Sequence, residues 1–210
     1  MRKTKILLSW LCLAGGSYFF FSGAREFFAP RLAQKQAEEA WKAESAREAS
    51  EQDGQIVPPG ARARSVVPAG ETFARLTIPR LHTVLYVVEG TDHAELRRGP
   101  GHLEGSALPG STGNCVIAGH RDTHFRVLKD IRKGDDIEVQ TAAGDFIYRV
   151  SDISIVSPNN TASLKPTVPA VLNLITCYPF YYVGTAPRRF VVRADMITSQ
   201  ATRRDFASGS

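Results

Sequence analysis

Two stretches of this 210-residue chain end a strand-like run on side chains that can do chemistry. In Leu172-Asn173-Leu174-Ile175-Thr176-Cys177-Tyr178-Pro179-Phe180 an apolar run stops on a cysteine, and Pro179 ends further ladder pairing. In Asn114-Cys115-Val116-Ile117-Ala118-Gly119-His120-Arg121-Asp122-Thr123-His124-Phe125 a second apolar run gives way, after a glycine, to a polar cluster. A thiol at a strand end can face a cleft while the strand fixes its position. The thiolate is the attacking species, and a free thiol with a pKa of about 8.5 is mostly protonated at neutral pH. A neighbouring imidazole can take that proton during attack and return it to a leaving amine. Acyl transfer also develops an oxyanion, which needs a donor or a cation aimed at it.

Each of these residues has an inert reading as well. The three cysteines must be read singly, because there is no C-x-x-C pair and an odd number leaves one thiol over. Cys12 lies in an apolar N-terminal run and reads as a small apolar residue, while Cys115 begins an apolar run and reads as core. Cys177 sits between the polar Thr176 and a loop, and residue types alone leave open whether it is a buried hydrophobe or a nucleophile. His120 and His124 are four apart but have no third ligand nearby, so no metal is expected. Asp122, two residues from His120, reads as a loop-shaping residue pairing with Arg121. His82, His93 and His102 carry no functional signal.

From Glu71 onward the chain is a series of short β-rich runs between Gly, Pro, Asn and Asp. Strands are expected at Ala74 to Ile78, Thr83 to Glu89, Val116 to Ala118, Asp136 to Gln140, Phe146 to Val150, Ile153 to Val156, Leu172 to Thr176 and Arg189 to Ala194. Thr141 to Asp145 is a loop of hairpin length, and Phe125 to Ile131 is the one short helix expected. Closely spaced strands with little helix between them make an all-β barrel or sandwich.

Upstream, residues 1–5 carry three cations and residues 6–24 carry no charge. At about 1.5 Å per residue the uncharged segment spans roughly 28 Å, the thickness of a bilayer's hydrocarbon core. The positive-inside rule places residues 1–5 in the cytoplasm, 6–24 as a single-pass transmembrane anchor and the rest outside. Ser22-Gly23-Ala24 also resembles a signal-peptide cleavage site, and either reading exports the domain. Residues 25–70 read as a stalk and linker, with an Ala-, Glu- and Lys-rich helix from Pro30 to Asp53 that ends in the linker from Gly54. Residues 71–199 form the expected catalytic domain and 200–210 a flexible tail. The net charge of +5 is scattered rather than arranged in a basic stripe, so nucleic acid is not an expected partner.

Leu174-Ile175-Thr176-Cys177 resembles the Leu-x-Thr-Cys signature of sortases, the bacterial transpeptidases that anchor surface proteins. Ala118 to Phe125 resembles that family's histidine loop, and Ala186-Pro187-Arg188-Arg189-Phe190-Val191-Val192 its last strand. The wording is most similar to class D sortases and their relatives in Gram-negative bacteria. The resemblance implies a closed eight-stranded sortase-type β-barrel with short helices, preceded by the transmembrane helix and the helical stalk. It implies Cys177 as nucleophile, His120 as acid/base and Arg189 as the oxyanion's partner, with Thr176 and His124 at the substrate. Strand alternation favours Arg189 over Arg188, since Arg189, Val191 and Arg193 share one face and Phe190 and Val192 the other. The implied reaction cleaves a C-terminal Leu-Pro-x-Thr-Gly-like sorting signal through a thioacyl enzyme and passes the acyl group to an amine, with no cofactor. Two alternatives are an exported L,D-transpeptidase, whose Ser-x-Gly-Cys stretch is missing here, and a non-catalytic anchored binding module in which Cys177 is core.

Overall fold

The computed structural model describes residues 2–51, 67–182 and 184–200. Met1, most of the expected linker (52–66) and the tail beyond residue 200 lie outside the described residues. The N-terminal part is one helix, α1 (Arg2–Glu51). Pro30, expected in the first turn of a separate stalk helix, instead lies inside α1. Losing one backbone hydrogen bond at the proline is outweighed by the Ala-, Glu-, Lys- and Gln-rich turns that follow. Among the described residues no helix is long and apolar enough to cross a membrane. Trp10, Leu13 and the Tyr18 to Phe21 run on this helix are exposed.

The remaining chain builds β1 (Thr72–Ile78), β2 (Thr83–Glu89), a short helix α2 (His93–Arg98), β3 (Gly101–His102), β4 (Asn114–Gly119), β5 (Asp136–Thr141), β6 (Gly144–Val156), β7 (Val171–Tyr178) and β8 (Arg188–Gln200). These strands close into a barrel in the order β1-β2-β3-β4-β7-β8-β6-β5. The expected barrel is therefore present, with two differences in its strands. The runs at Phe146 to Val150 and Ile153 to Val156 are one strand, because pairing with β8 absorbs an irregularity between Val150 and Asp152 instead of stopping there. The two-residue β3 takes the eighth place, pairing parallel to β2 and antiparallel to β4. The expected hairpin turn shrinks to Ala142 and Ala143, since Thr141 already pairs with Gly144. The short helix is of the 3-10 type and spans His124–Asp130.

Alternation decides which side chains fill the barrel. Leu76 and Ile78 of β1, Leu85 and Val87 of β2, Leu172 and Leu174 of β7, and Val192 and Ala194 of β8 enter one core cluster. Glu89 follows Leu85 and Val87 on the same side and is thereby carried into the interior. There the ring of His102, its direct partner on β3, donates from Nδ1 to Glu89 Oε2 at 2.7 Å. The Nε2 side of the ring meets Ser106 Oγ at 2.9 Å and the Ala107 carbonyl at 3.1 Å. His102, silent in the sequence, is a buried tie between β2, β3 and the loop that follows.

Candidate active site

The site is assembled by register. β4 and β7 run parallel, with Gly119 opposite Thr176, so His120, just past the end of β4, and Cys177, near the end of β7, come at one level. β7 and β8 run antiparallel, with Cys177 directly opposite Arg189 and Tyr178 opposite Arg188. Residues directly opposite in such a pair have Cβ atoms about 4.5–5.5 Å apart on the same face. Leu172, Leu174, Phe190 and Val192 point inward, so Cys177 and Arg189, one position out of phase, point outward. Cys177 is half-buried there. Arg189 Nη1 donates to the carbonyls of Arg188 at 3.2 Å and Ala186 at 3.4 Å, which folds its side chain back along the loop that enters β8.

Thr176 takes the opposite face to Cys177. It is only 3% exposed, and its hydroxyl donates to the Gly119 carbonyl at 2.6 Å. Contrary to the reading of Thr176 as a substrate-facing residue, its side chain ties the ends of β7 and β4 from inside. At the other end of the same strand pair, Asn173 Nδ2 donates to Asn114 Oδ1 at 2.7 Å, and Asn114 Nδ2 donates to the carbonyls of Ser163 and Lys165. Both ends of the parallel pair are thus pinned by side chains.

The histidine loop turns against the barrel on Phe125, which is fully buried. A Cβ placed on Gly119 would lie 2.7 Å from the Phe125 ring, so glycine is needed for that ring to lie flat under the loop. Gly119→Ala is expected to cost about 1–3 kcal/mol of stability by overpacking, read from urea unfolding. Arg121 was expected to pair with Asp122. Its Nη2 instead donates to the carbonyls of Tyr182 and Gly184, at 2.8 and 2.9 Å, across in the loop between β7 and β8. Its guanidinium lies 5.7 Å from the centre of the Tyr182 ring. The loops carrying His120 and preceding Arg189 are therefore latched to each other.

His124 is buried under the loop rather than exposed on it, and its Nε2 has no hydrogen-bond partner among the described residues. Burial lowers its pKa from the ordinary 6.5, the backbone of Arg97 offsets part of this, and the nearby His120 lowers it further. A depressed histidine pKa means that the unfolded chain takes up a proton that folded His124 refuses. The stabilisation is complete above about pH 6.5 and is lost as pH falls toward the folded value. Thermal unfolding followed between pH 7.5 and 5 is expected to show that loss, and His124→Gln should flatten it by up to one proton's worth of slope. The other described thiols differ from Cys177. Cys115 is inside the barrel, where burial and, to a smaller extent, Glu89 push its thiol well above the usual range.

His120 has a further neighbour that no residue pattern announces. α2 folds back over the histidine loop, and the ring of His93 meets the ring of His120 edge-on, centroids 6.2 Å apart and planes at 69°. Only spatial placement could have found it, because six helical residues carry too little periodicity to be read.

Comparison with known proteins agrees with this architecture. The sortase domain family matches residues 76–197. Sortase D of Bacillus subtilis is 37% identical over 130 residues, which cover 61% of this chain and 66% of that protein. Sortase SrtE1 of Streptomyces coelicolor is 34% identical over 158 residues, covering 66% of this chain and 44% of that one. The chain thus spans somewhat under two thirds of the first of these relatives and less than half of the second. A solved Clostridium perfringens Sortase D5 transpeptidase superposes with a TM-score of 0.61 at 24% identity, covering 81% of this chain and 99% of that one. The eight-stranded closed barrel, the order of the motifs and the family match over residues 76–197 lead to one conclusion: this chain belongs to the sortase family.

Proposed function

We propose that this chain is a membrane-anchored cysteine transpeptidase that cleaves a Leu-Pro-x-Thr-Gly-like sorting signal and transfers the acyl part to an amine. The observation that carries the reading is the convergence by register of His120, Cys177 and Arg189 at one end of the barrel. Sγ of Cys177 attacks the carbonyl carbon of the Thr–Gly bond, and the Arg189 guanidinium stabilises the oxyanion that forms. His120 takes the thiol proton and delivers it to the departing glycine amine, leaving a thioester on Cys177. An incoming amine then attacks the thioester and gives its proton to His120, and the sulfur leaves as thiolate and takes that proton back. Water in place of the amine gives hydrolysis. Thr176 serves the site from behind, by fixing the level at which β7 ends against β4. His124 serves it from beneath the loop, next to His120.

In this reading residues 6–24 form a single-pass anchor in the cytoplasmic membrane, residues 25–70 stand off from it and residues 71–199 work on the extracytoplasmic side. The uncharged run behind three cations supports that orientation. The partners are a surface protein carrying the signal at its C-terminus and an amine acceptor. The test is mass spectrometry of the protein mixed with a Leu-Pro-Glu-Thr-Gly peptide and hydroxylamine. The expected result is an acyl adduct on Cys177 that passes to hydroxylamine. Cleavage without an adduct on Cys177, or no cleavage of any Leu-Pro-x-Thr-Gly peptide, overturns the reading.

A further inference from the structure

β2 is bonded along only part of one edge. β1 takes Thr83 to Val88 on one side, while β3 reaches only Val88 and Glu89 on the other. That leaves the N–H and C=O of Tyr86 unpaired by any strand. Gln34 of α1 fills the gap: its Oε1 accepts the Tyr86 N–H at 2.9 Å, and its Nε2 donates to the Tyr86 carbonyl at 3.2 Å. The same Nε2 donates to the carbonyl of Arg98, the last residue of α2, at 2.9 Å. One amide thus stands in for a strand and grips the end of α2. The backbone is shaped to admit it, since a Cβ on Gly99 would lie 2.5 Å from the Tyr86 oxygen and 2.8 Å from Gln34 Nε2. One turn further along α1, Ala37 is buried on the same side.

α2, held in this way, is the element that meets the histidine loop. Its first residue sets the His93 ring edge-to-face with His120, and the Arg97 backbone lies beside His124. We propose that α1 is a working part of the active site, with Gln34 and His93 as positioning residues: Gln34 holds α2, and α2 orients the His120 imidazole through the edge of His93. An edge-to-face ring contact of this kind favours one orientation of the partner ring by about 1 kcal/mol, or about fivefold, and the proton transfers assigned to His120 depend on that orientation. The inference rests on the proposed role of His120.

The experiment is a double-mutant cycle on the full chain, using Gln34→Met and His93→Ala. Gln34→Met keeps length and apolar volume but removes all three hydrogen bonds. Each single variant is expected to lower kcat on the Leu-Pro-Glu-Thr-Gly peptide about fivefold with KM unchanged. The double variant should be no slower than His93→Ala, because both act through one contact. His93→Phe, which restores a ring edge, should recover most of the loss. The second readout is the NMR signal of the His120 ring, which needs no substrate and so separates this inference from the transpeptidase assignment. Gln34→Met is expected to shift it in the same direction as His93→Ala. Additive losses, an effect confined to KM, or a lowered unfolding temperature with the His120 signal unmoved would each overturn the proposal and leave Gln34 a purely structural clamp.

Discussion

Cys177→Ala is expected to lower kcat for peptide cleavage by at least about a thousandfold while leaving the folded protein nearly as stable as before. Removing the nucleophile removes the covalent route, and what remains is whatever binding and the oxyanion partner supply over water. Stability should be almost untouched, because the side chain is half-buried on the outer face of β7 and no core residue packs around it as around Cys115. Cys115→Ala reverses the pattern. It empties a site inside the barrel, so about 1 kcal/mol of stability should go while cleavage stays. Iodoacetamide extends the contrast to the unmutated chain: besides the exposed Cys12, labelling should fall on Cys177 and spare Cys115 until the barrel unfolds. Retention of full cleavage by Cys177→Ala would sink the assignment.

Arg189→Ala carries the second large effect, a loss of about a hundred- to a thousandfold in kcat, the usual cost of removing one oxyanion donor. The loss should fall on kcat more than on KM, since the charge it answers exists only in the transition state. Arg189→Lys should recover part of it, as a point charge without the planar fork. The neighbouring arginine is the control. Arg188 pairs with Tyr178 and points to the other face, so Arg188→Ala should change kcat by no more than a few-fold. If the large loss followed Arg188 instead, the strand parity behind the assignment would be wrong.

That parity was readable in advance, and it shows which parts of this molecule the sequence states. Arg189, Val191 and Arg193 alternate with Phe190 and Val192, and the barrel places the second set inside and the first outside. The β-branched run Thr83 to Glu89 was equally legible, because a strand buried on both faces from Leu85 onward leaves a continuous apolar trace in residue type. Short elements leave none. β3 has two residues and α2 six, yet β3 completes the barrel and α2 brings His93 to His120. Ser151 and Asp152 look like a break between strands and are only an irregularity within β6, since its pairing with β8 continues on both sides. Thr176 beside the cysteine suggests a substrate contact by proximity in sequence, but strand alternation sends its hydroxyl inward to Gly119. Gln34 was the least visible of all. It lies on a helix whose composition speaks only of solvent, and its partners are 52 and 64 residues away.

The two pins on the β4–β7 pair have a consequence for how preparations of this protein behave. Sliding β7 by one residue along β4 would exchange the two faces of its last turn, sending the thiol into the core and the threonine out. Such a chain would keep its strand content and much of its compactness, and circular dichroism would not distinguish it from the native one. Its Cys177 would be silent to a thiol titrant, which would then read only the exposed Cys12. The ratio of titratable Cys177 to total protein therefore counts correctly aligned molecules, and Asn173→Ala, which releases the pin at the far end of the pair, should lower that ratio before it lowers the helix or strand signal.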